Sequence, residues 1–145
     1  NVESFTIKGV EASVTARPMS NLTLFSGITW LDSDPTDLPY APEITFSSGL
    51  NWKLFDRFKL SMDCAWLSDM FVNSQARKKD APNENEVDGY FLANAKLSCD
   101  IFKKSSNYEA EFFISGENLT DADYEYLPGY PMPGINCMAG IIFKL

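Results

Sequence analysis

Phe58-Lys59-Leu60-Ser61-Met62-Asp63-Cys64-Ala65-Trp66 places five apolar residues at alternate positions, with Lys59, Ser61, Asp63 and Ala65 between them. A helix would scatter Phe58, Leu60, Met62, Cys64 and Trp66 around its circumference, whereas an extended chain lays all five on one side. The stretch is read as a strand with one apolar and one polar face.

The same period of two runs through the rest of the chain, and helical periodicity is nowhere sustained. Strands are expected over about residues 4–16, 21–30, 45–54, 58–66, 90–101, 108–116 and 137–145, with Phe25 the one large apolar residue out of phase on its strand. The connections alternate strictly: 17–21, 55–57 and 103–107 are short, while 32–42, 75–88 and the stretch after Gly116 are long and polar. Pro35, Pro39 and Pro42 are read as forbidding a continued ladder in the first long connection.

Several of these strands run to ten or more residues, longer than the usual five or six and long enough to cross a bilayer at a tilt. Short turns at one end, long loops at the other and an apolar face flanked by Trp and Tyr match a transmembrane barrel. Phe58, Leu60, Met62, Trp66, Phe112, Ile114, Ile141, Phe143 and Leu145 are then expected to face lipid. Alternation alone does not say which face is inside, so a soluble, lipocalin-like small-molecule-binding β-barrel is the alternative. Complete bacterial single-chain barrels have an even strand count of eight or more, so seven strands read as a segment of a larger one.

The 145 residues carry a formal net charge of -8, and nothing resembles a basic stripe, which argues against nucleic acid as a partner. With no histidine, His-based triads and the usual zinc sites are excluded. Cys64, Cys99 and Cys137 are odd in number, lack metal-ligand spacing and fall on the apolar faces of their strands, so they are read as small hydrophobes. No carboxylate pair, nucleophile or phosphate cradle stands out, so neither enzymatic activity nor a cofactor is expected. The first residues have neither the basic start nor the apolar block of a signal peptide, which suggests a chain that is not exported or a piece of a longer precursor.

Two stretches then carry a resemblance. Glu117-Asn-Leu-Thr-Asp-Ala-Asp-Tyr124 and Gly129-Tyr-Pro-Met-Pro-Gly134, followed by an alternating last strand, resemble the C-terminal end of TonB-dependent outer-membrane receptors. Lys8-Gly-Val-Glu-Ala12 and Tyr40-Ala-Pro-Glu43 resemble stretches found further upstream in that family, in the same order. The resemblance implies an all-β, antiparallel up-and-down meander of about seven long strands, a segment of a 22-stranded transmembrane β-barrel with a plugged lumen. It also implies the outer membrane of a Gram-negative bacterium and active import of a scarce nutrient such as a ferric siderophore or cobalamin. The implied partners are outer-membrane lipid, the remainder of the barrel and its plug, TonB through a preceding N-terminal part, and a small-molecule or metal-chelate substrate. Two positions depart from the pattern: Leu145 ends the chain where an aromatic residue is usual, with Phe143 two before it, and Ile135 stands where an Arg is common.

Acidic residues crowd the long connections: Asp32, Asp34, Asp37 and Glu43; Asp80, Glu84, Glu86 and Asp88; Glu117, Asp121, Asp123 and Glu125. A mouth of this charge would attract cationic or metal-bearing substrates, and solvated loop surface is the plainer reading. Tyr124, Tyr126 and Tyr130, with Asp121 and Asp123, are the candidates for touching a flat chelate; anchoring the loop is the plainer role for the tyrosines. Asp32-x-Asp with Glu43 mimics a calcium loop, but Pro35 and the lack of glycine at the sixth position break its geometry.

Overall fold

The computed structural model describes residues 4–72, 86–102 and 109–144. The tip of the second long connection, the last short turn and the expected lipid-facing Leu145 therefore lie outside the described residues.

Seven strands form one antiparallel sheet: β1 (Thr6–Met19), β2 (Leu22–Asp34), β3 (Ile44–Leu54), β4 (Phe58–Leu67), β7 (Tyr90–Asp100), β8 (Glu109–Glu117) and β11 (Asn136–Lys144). Each is hydrogen-bonded to the next in chain order, which is the expected meander. Two short pairs, β5 (Met70–Phe71) with β6 (Glu86–Val87) and β9 (Glu125–Leu127) with β10 (Tyr130–Pro131), rise from the second and third long connections. The sheet is open: β1 and β11 are its two ends and are not paired with each other. A closed lipocalin-type barrel is not what the chain forms.

Register turns the alternating sequence into rows that cross the sheet. Ala12, Ile28, Phe46, Trp66 and Phe91 lie side by side, and so do Leu22, Trp52, Leu60, Leu97, Ile114 and Ala139. Near the turn end, Leu54, Phe58, Cys99, Phe112 and Ile141 make another such row. Two serines interrupt this apolar face. Their hydroxyls are spent on backbone, Ser26 donating to the Ser47 carbonyl and Ser48 to that of Phe25, both at 3.1 Å, so neither presents an unmet donor.

The other face carries Glu11, Asp63, Asn94, Lys96, Asp100 and Glu111 among Ser, Thr and Gly. At its turn end the Lys59 ammonium donates to Asp100 at 2.8 Å and Glu111 at 2.7 Å, joining β4, β7 and β8. These side chains are partly exposed, so each pair is worth about 1 kcal/mol at most. This face is not uniformly polar, however. Phe113, Met138 and Ile142 gather beside β11, and Met138 remains 57% exposed.

The out-of-phase Phe25 has a local explanation. Its ring covers Gly49 on the neighbouring strand: a Cβ there would meet Phe25 Cζ at 2.4 Å and the Met62 carbonyl oxygen at 2.5 Å. Phe113 covers Gly140 in the same way, with ring carbons 2.8 Å from where a Cβ would stand. An aromatic ring thus fills the space of a missing side chain and pins the register. Gly49→Val is expected to lower stability by about 2 kcal/mol, read as a lower denaturant midpoint of the folded barrel, because the Met62 carbonyl cannot swing aside as a side chain can.

Two strand ends differ from expectation. β2 continues four residues past Trp30, paired with β1 up to Asp34, and the ladder stops only at the first proline. β1 likewise runs on through Pro18, which is accommodated where the register shifts between Ala16 and Met19. The turn at 55–57 matches the sequence reading; its first two residues have positive φ, 49° at Phe55 and 59° at Asp56, as the two central residues of a type I′ turn do.

The core lies beyond the loop end of the sheet. Among the described residues the buried apolar side chains are Val72, Val87, Tyr90, Ala110 and Pro128. All but Ala110 belong to the long connections or the strand end beneath them. A soluble domain of this length buries far more of its surface, so both faces of the sheet await cover.

Candidate functional site

The two stretches that carry the family resemblance fold into one unit, and Asn118 is its centre. Asn118 is 4% exposed with φ 48°, a left-handed conformation that asparagine tolerates better than most residues. Its side-chain amide donates to the carbonyls of Ala122 at 2.9 Å and Pro133 at 3.1 Å. Its Oδ1 accepts from the Ala122 N–H at 2.9 Å and the Thr120 hydroxyl at 3.2 Å. Its own backbone N–H donates to Asn94 Oδ1 at 3.0 Å, and Asn94 Nδ2 donates to Asp63 at 2.8 Å. A polar chain therefore runs from β4 through β7 into the last long loop.

Asp121 closes the other side. Its Oδ1 accepts the Ile135 N–H at 3.0 Å and stands 2.8 Å from where a Cβ on Gly134 would be, so a larger residue than glycine would displace that contact. Further along, Met132 N–H donates to the Tyr124 carbonyl, and Gly129, at φ 80°, donates to a Glu125 carboxylate oxygen. The loop is clipped into one conformation by these bonds.

The clipped loop brings Tyr124 and Tyr126 to Tyr90 on the first residue of β7. Ring centroids are 4.8 Å apart for Tyr90 and Tyr124, 5.4 Å for Tyr124 and Tyr126, and 6.2 Å for Tyr90 and Tyr126. Tyr90 is buried, Tyr124 half-buried and Tyr126 exposed on one side. Burial first, then the hydrogen bond and electrostatic interaction with Tyr126 and the nearby Glu117 carboxylate, push the Tyr124 phenol above its ordinary pKa. Tyr130 is 64% exposed on β10 and is not part of the three-ring cluster; Asp123 is exposed on the loop.

Beneath the loop, the polar face of the sheet lines a cavity of about 730 Å³. Asp63, Lys96, Glu117, Tyr124, Tyr126 and Met132 are among its walls. Its size suits a small molecule. Of the five candidate substrate residues, Tyr124 and Tyr126 reach this cavity, Asp121 serves the loop's own closure, and Asp123 and Tyr130 do not line it. Tyr90 and Asn118 were not singled out from sequence. Tyr90 carries a usable signal, an aromatic at the loop end of the polar face. Asn118 lies inside the resemblance stretch, yet no pattern says where its amide points. Among the described residues no group of three or more metal-ligating side chains comes together.

A comparison with curated protein sequences found no match. Solved structures do match. The ferric-catecholate import receptor Fiu from E. coli K12, in its open form, aligns with a TM-score of 0.73 at 21% identity, over 97% of this chain and 21% of that one. A mutant of the ferric enterobactin receptor PfeA from Pseudomonas aeruginosa gives 0.64 at 14%, over 94% and 22%. The unliganded ferric citrate transporter FecA gives 0.66 at 16%, over 97% and 24%. These likenesses establish a shared barrel-sector fold, and this chain spans about a fifth to a quarter of each neighbour's length. Residues 1–119 match the family model described as TonB dependent receptor-like, beta-barrel, and with the seven-stranded meander and its loop already in place, the chain belongs to that family.

Proposed function

We propose that the chain forms the C-terminal seven strands of a TonB-dependent receptor in the outer membrane of a Gram-negative bacterium, which actively imports a scarce nutrient such as a ferric siderophore or cobalamin. The observation that carries this reading is the two-faced open sheet, with large apolar side chains uncovered on one side and charged groups beneath a clipped loop on the other. From the row of Trp30 and Ile44 to that of Phe58 is about ten residue steps. At about 3.4 Å per step and a tilt of about 40°, that gives an apolar band of about 26 Å, close to the roughly 25 Å of outer-membrane barrels. Lipid then covers Phe58, Leu60, Met62, Trp66, Phe112, Ile114, Ile141 and Phe143, and Leu145 with them. The long loops face outward from the cell.

In this reading the plug and the earlier strands precede residue 1 in the parent protein, the plug covers Met138, Ile142 and the turn-end charges Lys59, Asp100 and Glu111, and TonB acts through that preceding part. Substrate is captured at the loops, where Tyr124, Tyr126 and Tyr130 offer flat surfaces and Asp121 and Asp123 add charge. The plug then moves, and the cavity walls become part of the route.

The test uses the complete parent receptor in a Gram-negative host stripped of its own receptors of this class. Uptake of ferric siderophores and cobalamin is measured with TonB present and with it deleted. Uptake that requires both receptor and TonB is the expected outcome. Uptake indifferent to TonB would refute energised import, and no uptake of any of them would refute the substrate class.

A further inference from the structure

We infer that this sector of the receptor selects neutral or positively charged chelates and repels polyanionic ones; the inference rests on the importer reading above and names the charge class of its substrate.

In the sequence, the long and the short connections carry charge of opposite sign. The three long connections, 32–43, 68–89 and 117–135, hold thirteen Asp and Glu residues against Arg77, Lys78 and Lys79, and the first and third hold no basic residue. The short turns at 17–21, 55–57 and 101–108 hold Arg17, Arg57, Lys103 and Lys104 against Asp56 alone. Asp32 and Asp34 project on the apolar side by register, toward the membrane surface, and do not face a substrate. The inner wall carries the argument.

On that wall Glu11, Asp63 and Glu117 stand in the loop half of the sheet, and Asp63 and Glu117 line the cavity. Among the described residues the basic groups on this face stand away from them or are engaged: Lys53 is at the turn end, across from Lys59. Lys59 is held by Asp100 and Glu111 at the turn end. Lys96 lines the cavity, but its ammonium lies 4.6 Å from the centre of the Phe113 ring. Phe113 sits one row nearer the turns, beside Ser98, so the charge is drawn away from the mouth. The cavity's loop side thus presents two carboxylates, two phenols and several amides.

A concave wall of one sign concentrates ligands of the opposite sign and excludes like charge. Tyrosine faces add attraction for cationic groups. A polyanionic chelate would meet carboxylates where it needs donors, whereas a chelate bearing an ammonium arm would meet both carboxylates and ring faces.

The test uses the complete receptor reconstituted in bilayers and three probes: a ferric trihydroxamate bearing a free ammonium, an uncharged ferric trihydroxamate, and a polyanionic ferric triscatecholate. Radio-iron retention is measured at low and at physiological ionic strength. The cationic probe is expected to be held about tenfold more tightly than the anionic one at low salt, with the preference shrinking as salt is added. In the double variant Asp63→Asn and Glu117→Gln, which neutralises both carboxylates that line the cavity, the preference should fall about threefold, and the salt series on the unmutated receptor stands independently of how that variant folds. Retention of the triscatecholate at least as tightly as the cationic probe would overturn the charge assignment while leaving an importer of chelates in place. A preference insensitive to salt would likewise overturn it. Retention of none of the three would overturn both readings.

Discussion

Met62→Arg is expected to destabilise the folded barrel by about 2 to 4 kcal/mol, the range for a basic side chain facing lipid at the middle of a bilayer. Met62 occupies the central apolar row, between Leu50 on β3 and Ala95 on β7. No neighbour there offers a carboxylate, so the guanidinium must drag water into hydrocarbon or distort the strand. Ser47→Arg, one strand away, is the matched control. Its side chain projects to the opposite face, beside the small residues Gly27 and Ala65. It is expected to change stability by less than about 1 kcal/mol. Urea unfolding of the two variants in lipid vesicles measures the difference. Equal costs, or a larger cost at Ser47, would mean that the apolar face is not the one in lipid.

Asn118→Ala is expected to have the second-largest effect, confined to the loop. Four side-chain hydrogen bonds disappear, and the N–H and carbonyl of Ala122 and the carbonyl of Pro133 lose their partners. The cost should be about 3 kcal/mol, including the penalty for alanine at positive φ. Because the sheet below makes none of these four bonds, the loss appears as local opening. Amide exchange at Ala122 and Ile135 should accelerate roughly hundredfold, with little change in the global unfolding midpoint. Asn118→Gly retains the freedom to adopt φ 48° and should recover about 1 kcal/mol of that loss. The tyrosine cluster depends on the same clip, so substrate retention should weaken in parallel with exchange.

The seven long strands were legible because an apolar face opposite a polar one leaves a period-two record in each of them, and a slip of one residue would invert it. The short–long alternation of connections was legible for the same reason, since the strand phases locate the turns. Even the exceptions make sense in three dimensions: Phe25 breaks the pattern because Gly49 on the next strand needs its ring. The loops were only partly readable. Residues 70–71, 86–87, 125–127 and 130–131 are too short for any periodicity, so the two small hairpins left no trace. Asp121 reads as an exposed acid in sequence and as a loop closure in space, because the distance from Asp121 to Ile135 is set by the fold of the residues between them. Tyr90 joins Tyr124 and Tyr126 only once the loop has folded back across β7. The prolines marked the end of the β2 ladder correctly in kind but not in place, since pairing persists until Pro35 itself.

A nitroxide scan of residues 58–66 in the intact receptor in bilayers, with the native cysteines replaced, tests the orientation of the sheet most directly. Collision with dissolved oxygen, which concentrates in hydrocarbon, should peak at positions 58, 60, 62, 64 and 66. Collision with a water-soluble nickel chelate should be low at those positions and rise at 59, 61, 63 and 65 unless the plug covers them. Oxygen maxima at the odd positions, or no alternation at all, would contradict a lipid-facing apolar surface and with it the barrel sector described above.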